Sequence, residues 1–163
     1  MKRNEANIQL IRDECGAQHM TLPAQVAYVL ATVQHETNGT YDPVLEAYWV
    51  KNAEAWRKAN LRYYPFYGRG FVQLTWKTNY EKYAKITGED LVAHPDLALE
   101  PKTAAFILVH GFIHGTFTGR KIDDYISPGF VDFTNARRCI NGTDRAGLIA
   151  EYAQAWLKVL LGK

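Results

Sequence analysis

Two glutamates, Glu36 and Glu46, stand on either side of a turn in the stretch 33–46, Val-Gln-His-Glu-Thr-Asn-Gly-Thr-Tyr-Asp-Pro-Val-Leu-Glu. Paired carboxylates in different surroundings can divide acid and base work, as hydrolysis of a glycosidic bond requires. In an inverting reaction one carboxylic acid protonates the leaving oxygen. A carboxylate roughly 6.5–9.5 Å away activates water on the opposite face of the sugar. Glu36 ends a helix whose apolar stripe is Leu22, Val26, Val29, Leu30 and Val33. At about 100° per residue it falls within roughly 40° of the direction of Leu22. Apolar neighbours and the negative end of the helix dipole both disfavour an anion there, which suits Glu36 to the role of general acid. Its competing roles are to close a frayed helix end or to pair with an arginine. Glu46, in a polar turn, is expected to stay ionised and act as base, with Asp42 as a nearby alternative.

The elements that position these groups follow from periodicity and punctuation. Ile8, Leu10, Ile11 and Cys15 recur at helical intervals over 4–17. Thr21 reads as the N-cap of the helix ending near Glu36, with Pro23 in its first turn. A further amphipathic helix is expected over 50–60, with Ala53, Trp56 and Ala59 on one side. The segment 62–71 is an aromatic loop in which Gly68 and Gly70 flank Arg69 and suggest unusual dihedrals or a close approach. Thr75 reads as the cap of a helix over 76–87 that stops at Gly88, and 91–99 as a short helix or turn. The run 103–114 is apolar nearly all round and is taken as the central buried helix. Helices are also expected over 130–139 and 144–161. The last is expected to bury Leu148, Ile149, Tyr152, Trp156, Val159 and Leu160, with Arg145 on the same face extended backwards. The pattern is α+β, predominantly helical, with a small loop or β lobe between Asn38 and Thr75.

Composition narrows the function classes. A chain of 163 residues with 47% hydrophobic content supports one well-buried core and is expected to form a single catalytic domain, 1–163. Nineteen Lys and Arg against 17 Asp and Glu leave +2 with the signs interspersed, so nothing marks a nucleic-acid binder, although a mild attraction to an anionic polymer remains. Cys15 and Cys139 lack metal-type spacing and read as buried thiols, with a disulfide between them as the alternative. After Met-Lys-Arg, the polar residues Asn4, Glu5, Asn7, Gln9, Arg12 and Asp13 break any apolar run. No signal peptide, membrane span or stable membrane association is therefore expected, and the protein is expected in a cytoplasm.

Four blocks occur together: His35-Glu36-Thr37, the run from Tyr67 to Thr75 (Tyr-Gly-Arg-Gly-Phe-Val-Gln-Leu-Thr), Asn79-Tyr80, and Arg138-Cys139-Ile140-Asn141-Gly142. Their types and order resemble the family 19 glycoside hydrolases, the plant-type chitinases and a branch of phage endolysins with a lysozyme-like fold. The resemblance covers nearly the whole chain from Ala24 onward. It implies Glu36 as general acid and, most nearly, Glu46 as general base. It places Gln73, Thr75 and Asn79 on polar cleft positions that bind sugar or hold the catalytic water, with Tyr67 among the substrate-binding residues. Asn141 and Arg145 match a further Asn and Arg lining the cleft. The interval from Glu36 to Glu46 is shorter than in plant chitinases and closer to the endolysin branch. Asn141-Gly142-Thr143 stands where chitinases often carry Asn-Gly-Gly.

The expectation is a phage-type endolysin that cleaves the β-1,4 glycan of peptidoglycan by inversion, without cofactor or metal. It would act as a monomer, be made in the host bacterial cytoplasm, and reach the periplasm and wall when a holin-type protein opens the membrane. The nearest alternative is a chitinase acting on β-1,4 N-acetylglucosamine polymers. A zinc-dependent wall amidase is a reading of another class, with His110 and His114 at i, i+4 and His94 upstream, though no His-Glu-x-x-His is present. A non-catalytic glycan-binding module built on 63–71 is a third.

Overall fold

A computed structural model describes residues 3–163. Among these residues six α-helices are joined by three 3₁₀ turns and two very short antiparallel ribbons, an α+β arrangement dominated by helix. Helix α1 spans Arg3–Ala17 and α2 spans Pro23–Glu36. Leu22, rather than Thr21, stands at the N-cap of α2, extended and without a side-chain cap bond. Pro23 explains the shift, because a residue preceding proline is driven out of the helical region.

Helix α5, Pro101–His114, is the central helix that its all-round apolarity predicts. Ala104, Ala105, Leu108, Val109 and Phe112 pack into the main core with Ile11, Tyr28, Leu30, Val33 and Ile149. Ile107 turns the other way, into a smaller cluster with Leu74, Tyr80, Tyr83, Leu91 and Ala98. Helix α5 thus separates the main core from the lobe that carries the aromatic loop. It ends at Gly115, whose φ of 70° supplies the left-handed C-cap. Cys15 and Cys139 are free thiols in the main core, and burial pushes each up to about 12.

The small lobe is built on β1, Val44–Leu45, paired antiparallel with β2, Arg69–Gly70. Between them lies α3, Ala53–Asn60. The expected apolar face of this helix is not its buried one. Trp56 is 39% exposed, whereas Arg57 is 4% exposed. The buried position is held by hydrogen bonds from the guanidinium, which apolar periodicity does not register. Helix α4, Lys77–Thr87, follows Trp76 and stops at Gly88.

The region expected as a helix over 130–139 is divided. A hairpin pairs β3, Ile126–Ser127, with β4, Phe130–Val131, and a 3₁₀ turn follows at Asn135–Cys139. Pro128 and Gly129, the latter at φ 81°, make the tight turn that breaks the helix. Helix α6, Ala146–Leu160, packs extensively against α2. It does so through Ala146, Ile149, Ala150 and Ala153, while Leu148 and Val159 stay exposed, contrary to expectation. Small alanines let the two helix backbones approach and turn the larger side chains outward. Among the described residues no helix is long and apolar enough to cross a membrane.

Candidate active site

Glu36 closes α2, and its fold neighbourhood contains a cation. Its Oε1 lies 3.0 Å from Nη1 of Arg137, with side-chain exposures of 18% and 2% respectively. Arg137 also donates from Nε to the Asp144 carbonyl at 2.8 Å, and its Nη2 lies 4.0 Å from the Asp144 carboxylate. One planar guanidinium therefore ties the end of α2 to the turn before α6, which a lysine could not do with a single point charge. Of the roles the sequence leaves open for Glu36, the pairing with an arginine is present, so its surroundings are not apolar alone.

Asn141 and Arg145 flank that arrangement. The exposed Asn141 donates its backbone N–H to the Arg137 carbonyl at 2.9 Å. Arg145 stands at the N-cap of α6 with φ 56°, exposed, and lines a recess of about 350 Å³ with Gln34, His35, Asn38 and Tyr152. Among the described residues Arg145 forms no ion pair. The carboxylate-holding arginine of this site is Arg137.

The connector from Glu36 to Glu46 is pinned at several points. Thr37 Oγ1 donates to the Val33 carbonyl at 2.7 Å and accepts from the Tyr41 N–H at 2.9 Å. Asn7 reaches from α1, donating to the Tyr41 carbonyl at 2.8 Å and to Asp42 Oδ1 at 3.2 Å. The Trp156 indole of α6 donates to the Tyr41 hydroxyl at 3.0 Å. Asp42, the alternative base, is thereby tied to α1.

Glu46 follows β1. Its N–H donates to the Gly68 carbonyl at 2.7 Å and its carbonyl accepts Arg57 Nε at 2.6 Å, so its backbone is held from both sides. The Tyr63 hydroxyl lies 2.7 Å from Oε1 and 2.9 Å from Oε2 of its carboxylate. Burial, with the adjacent carboxylate, pushes the Tyr63 hydroxyl up to about 12, so it remains a proton donor at neutral pH.

Gln73, Thr75 and Asn79 are brought together in series. Gln73 Nε2 donates to the Val44 carbonyl at 2.9 Å, Thr75 Oγ1 to the Gln73 carbonyl at 2.9 Å, and Asn79 Nδ2 to the Thr75 carbonyl at 2.9 Å. The series links the strand that delivers Glu46 to the start of α4. Thr75 spends its hydroxyl on Gln73 instead of capping α4 as expected. Each of the three retains an oxygen lone pair for a sugar hydroxyl, an amide or water. Gln73 and Trp76 hold φ of 63° and 76°, a left-handed backbone that costs energy for residues with a side chain and gathers at functional sites. A Cβ at Gly68 would lie 2.5 Å from Gln73 Oε1 and 3.0 Å from Gln73 Cβ, so the Gln73 side chain could not keep its position above any other residue.

Tyr67 is not part of that series. It is 5% exposed, donates to Glu54 Oε2 at 2.9 Å, and has the Arg69 and Arg57 Cζ atoms 4.0 and 4.9 Å from its ring centroid. A ring so covered packs the lobe and offers no open face to a sugar. Exposed rings lie elsewhere, and the sequence reading missed them: Trp49 at 75% and Tyr48 at 46%, which follow Glu46, and Trp76 at 43%. The Trp76 ring centroid is 4.8 Å from that of Tyr63. Their signal in the sequence was proximity to Glu46 and Thr75 alone.

His94 does not join the other two histidines of the zinc reading. His110 and His114 lie on each other with centroids 4.1 Å apart, and His110 Nδ1 is 3.1 Å from the Tyr83 hydroxyl. His94 lines a separate recess with Arg69 and Asp96. Among the described residues no three His, Cys, Asp or Glu side chains form a group that could hold a metal.

The model of chitinase class I, glycoside hydrolase family 19, matches residues 15–113. Over 41 residues the chain is 46% identical to an acidic 27 kDa endochitinase of Solanum lycopersicum, a match spanning 25% of this chain and only 17% of the tomato protein. Chitinase C from Streptomyces griseus has the same fold, with a TM-score of 0.64 at 20% identity over 97% of this chain and 69% of that one. A bacterial family 19 chitinase gives 0.63 at 20% identity over 95% and 85%. The matched segment carries both candidate carboxylates and the Gln73 to Asn79 series, and the fold extends the likeness over nearly all the remainder: the chain belongs to glycoside hydrolase family 19.

Proposed function

We propose that this glycoside hydrolase cleaves the β-1,4 glycan of bacterial peptidoglycan as a phage-type endolysin, using Glu36 as acid and Glu46 as base. The observation that carries the proposal is that each of the two carboxylates is fixed in place by a donor of its own. Glu36 sits at the end of a buried helix on a single buried guanidinium, and Glu46 on a polar lobe accepts from a tyrosine. Glu36 gives its proton to the glycosidic oxygen as the bond to the anomeric carbon breaks. Glu46 takes a proton from water as the water oxygen bonds to that carbon from the opposite face, so the configuration inverts. Thr75 and Asn79 hold the water and the sugar's N-acetyl group. Glu36 must regain its proton before the next turnover.

The short, pinned connector between the carboxylates and the small positive net charge favour a wall polymer as substrate. Asn141 and Arg145 line the far side of the cleft, and Tyr67 braces the lobe beneath it. The enzyme works as a monomer, is held in the host cytoplasm, and meets the wall once a holin-type protein has opened the inner membrane. Hydrolysis of chitin is the second reading, favoured by the relatives named above, all of them chitinases by description. Outer-membrane-permeabilised Gram-negative cells assayed beside soluble chitin separate the two. Rapid clearing without chitin cleavage is expected, and the reverse result would overturn the peptidoglycan reading.

A further inference from the structure

We infer that a recess on the small lobe, remote in character from the two carboxylates, binds a zwitterionic amino-acid group of the kind carried by peptidoglycan peptide stems; this rests on the peptidoglycan reading above. The recess has a volume of about 650 Å³ and is lined by Glu54, Arg57, Tyr67, Arg69, Asp96 and the apolar Leu45, among others. Arg57 and Arg69 are each only 4% exposed. Arg57 spends Nε on the Glu46 carbonyl and Nη1 on Glu54, 3.4 Å away. Arg69 spends Nε on Asp96 at 2.8 Å and Nη1 on the carbonyls of Pro65 and Tyr67 and the Tyr80 hydroxyl. Among the described residues neither Nη2 has an acceptor.

The two guanidinium groups lie within 5 Å of one ring centroid, each already paired on one side with a carboxylate, and their Nη2 donors are not among the buried unpartnered atoms, so they reach water at the recess. A ligand carboxylate that displaces this water accepts charge-assisted hydrogen bonds from both. The carboxylates of Glu54 and Asp96, 59% and 78% exposed, stand at the rim; Glu54 accepts from Tyr64, Tyr67 and Arg57, and Asp96 accepts from Arg69 through Oδ1 alone, so lone pairs remain for an ammonium group. Two guanidinium groups against two carboxylates leave the recess without net charge, so neither a polyanion nor a polycation is favoured over a zwitterion. The free amino and carboxyl groups on one carbon of a diaminopimelate stem have this pattern. The same Arg57 holds the Glu46 carbonyl at 2.6 Å, so a ligand that orders Arg57 steadies the strand carrying the base.

The full chain is titrated with the free tetrapeptide stem L-alanyl-γ-D-glutamyl-meso-diaminopimelyl-D-alanine while amide NMR shifts are followed. Saturable shifts are expected at Ala93, His94 and Asp96. Affinity is expected to fall about tenfold or more in Asp96→Asn, which removes a charged acceptor. It is also expected to fall in Ala93→Trp, which fills the exposed rim without touching either arginine. Absence of saturable shifts, or unchanged affinity in both variants, overturns the inference. Cleavage of purified peptidoglycan is measured in parallel. Stem binding without wall cleavage would sink the peptidoglycan reading and leave the recess assignment standing; wall cleavage without stem binding would do the opposite.

Discussion

Arg137 Nη1 lies 3.0 Å from Glu36 Oε1 although 101 residues separate them in the chain, and Arg137 is the largest fully buried side chain among the described residues. Its role is to fix where the Glu36 carboxyl points. Arg137→Ala is expected to destabilise the protein by about 3 kcal/mol, because a partly buried carboxylate loses its partner. Arg137→Lys keeps the charge but cannot serve Glu36 and the Asp144 carbonyl together. It is expected to retain most of the stability, read by urea denaturation, and to lose about tenfold or more in kcat. Full activity in Arg137→Lys would remove the positioning role.

The proposed base, Glu46, is tested through its tyrosine. Glu46→Gln is expected to lower kcat by roughly 10²–10⁴-fold. Tyr63→Phe, which only deletes the hydroxyl on that carboxylate, should cost about tenfold at nearly unchanged KM. Asp42→Asn is expected to stay active. An inactive Asp42→Asn beside an active Glu46→Gln would transfer the base to Asp42.

Gly68 and Gln73 form a steric lock. In Gly68→Ala the new Cβ displaces Gln73, and with it the bond to the Val44 carbonyl, for an expected loss of about 1–2 kcal/mol. Adding Gln73→Ala removes the Oε1 and Cδ contacts and leaves only the 3.0 Å approach of the two Cβ atoms, so the double variant should lose less than the sum of the two single losses. Simple additivity of the two losses would show that the contact is not the cause.

Acid sensitivity has a nameable source. Burial, with the charges of His114 and Lys82, lowers His110 to about 4. The unfolded chain binds a proton there near 6.5 and the folded one near 4, so the unfolded state carries more protons between these values. Stability is therefore expected to fall as pH drops from about 6.5 to about 4. His110→Gln, still able to accept from Tyr83, should flatten that slope in urea titrations at pH 7 and pH 5. An unchanged slope would place the acid sensitivity elsewhere.

The parts legible in the sequence are those that periodicity and local chemistry control. An all-round apolar run marks α5, a proline and a helical stripe mark α2, and the stripe carries straight to Glu36. Gly68 signals the close approach of Gln73. What stayed hidden depends on partners distant in the chain. Nothing in Arg137-Arg138 shows which one is buried, because the burial is decided by Glu36 and Asp144. Arg57 is hidden for the same reason, its position being set by the Glu46 carbonyl instead of by an apolar face. The hairpin at Pro128-Gly129 was readable from its turn residues, but the apolar content of 130–139 masked it.

In the proposed reaction Glu36 drives cleavage of a glycosidic bond in peptidoglycan. The most direct test is mass-spectrometric identification of the fragments released from purified peptidoglycan by the wild type and by Glu36→Gln, with folding of both checked by circular dichroism. Disaccharide-peptide fragments bearing new reducing ends are expected from the wild type and essentially none from Glu36→Gln. Freed peptides on uncut glycan strands, or an active and folded Glu36→Gln, would contradict the proposed reaction.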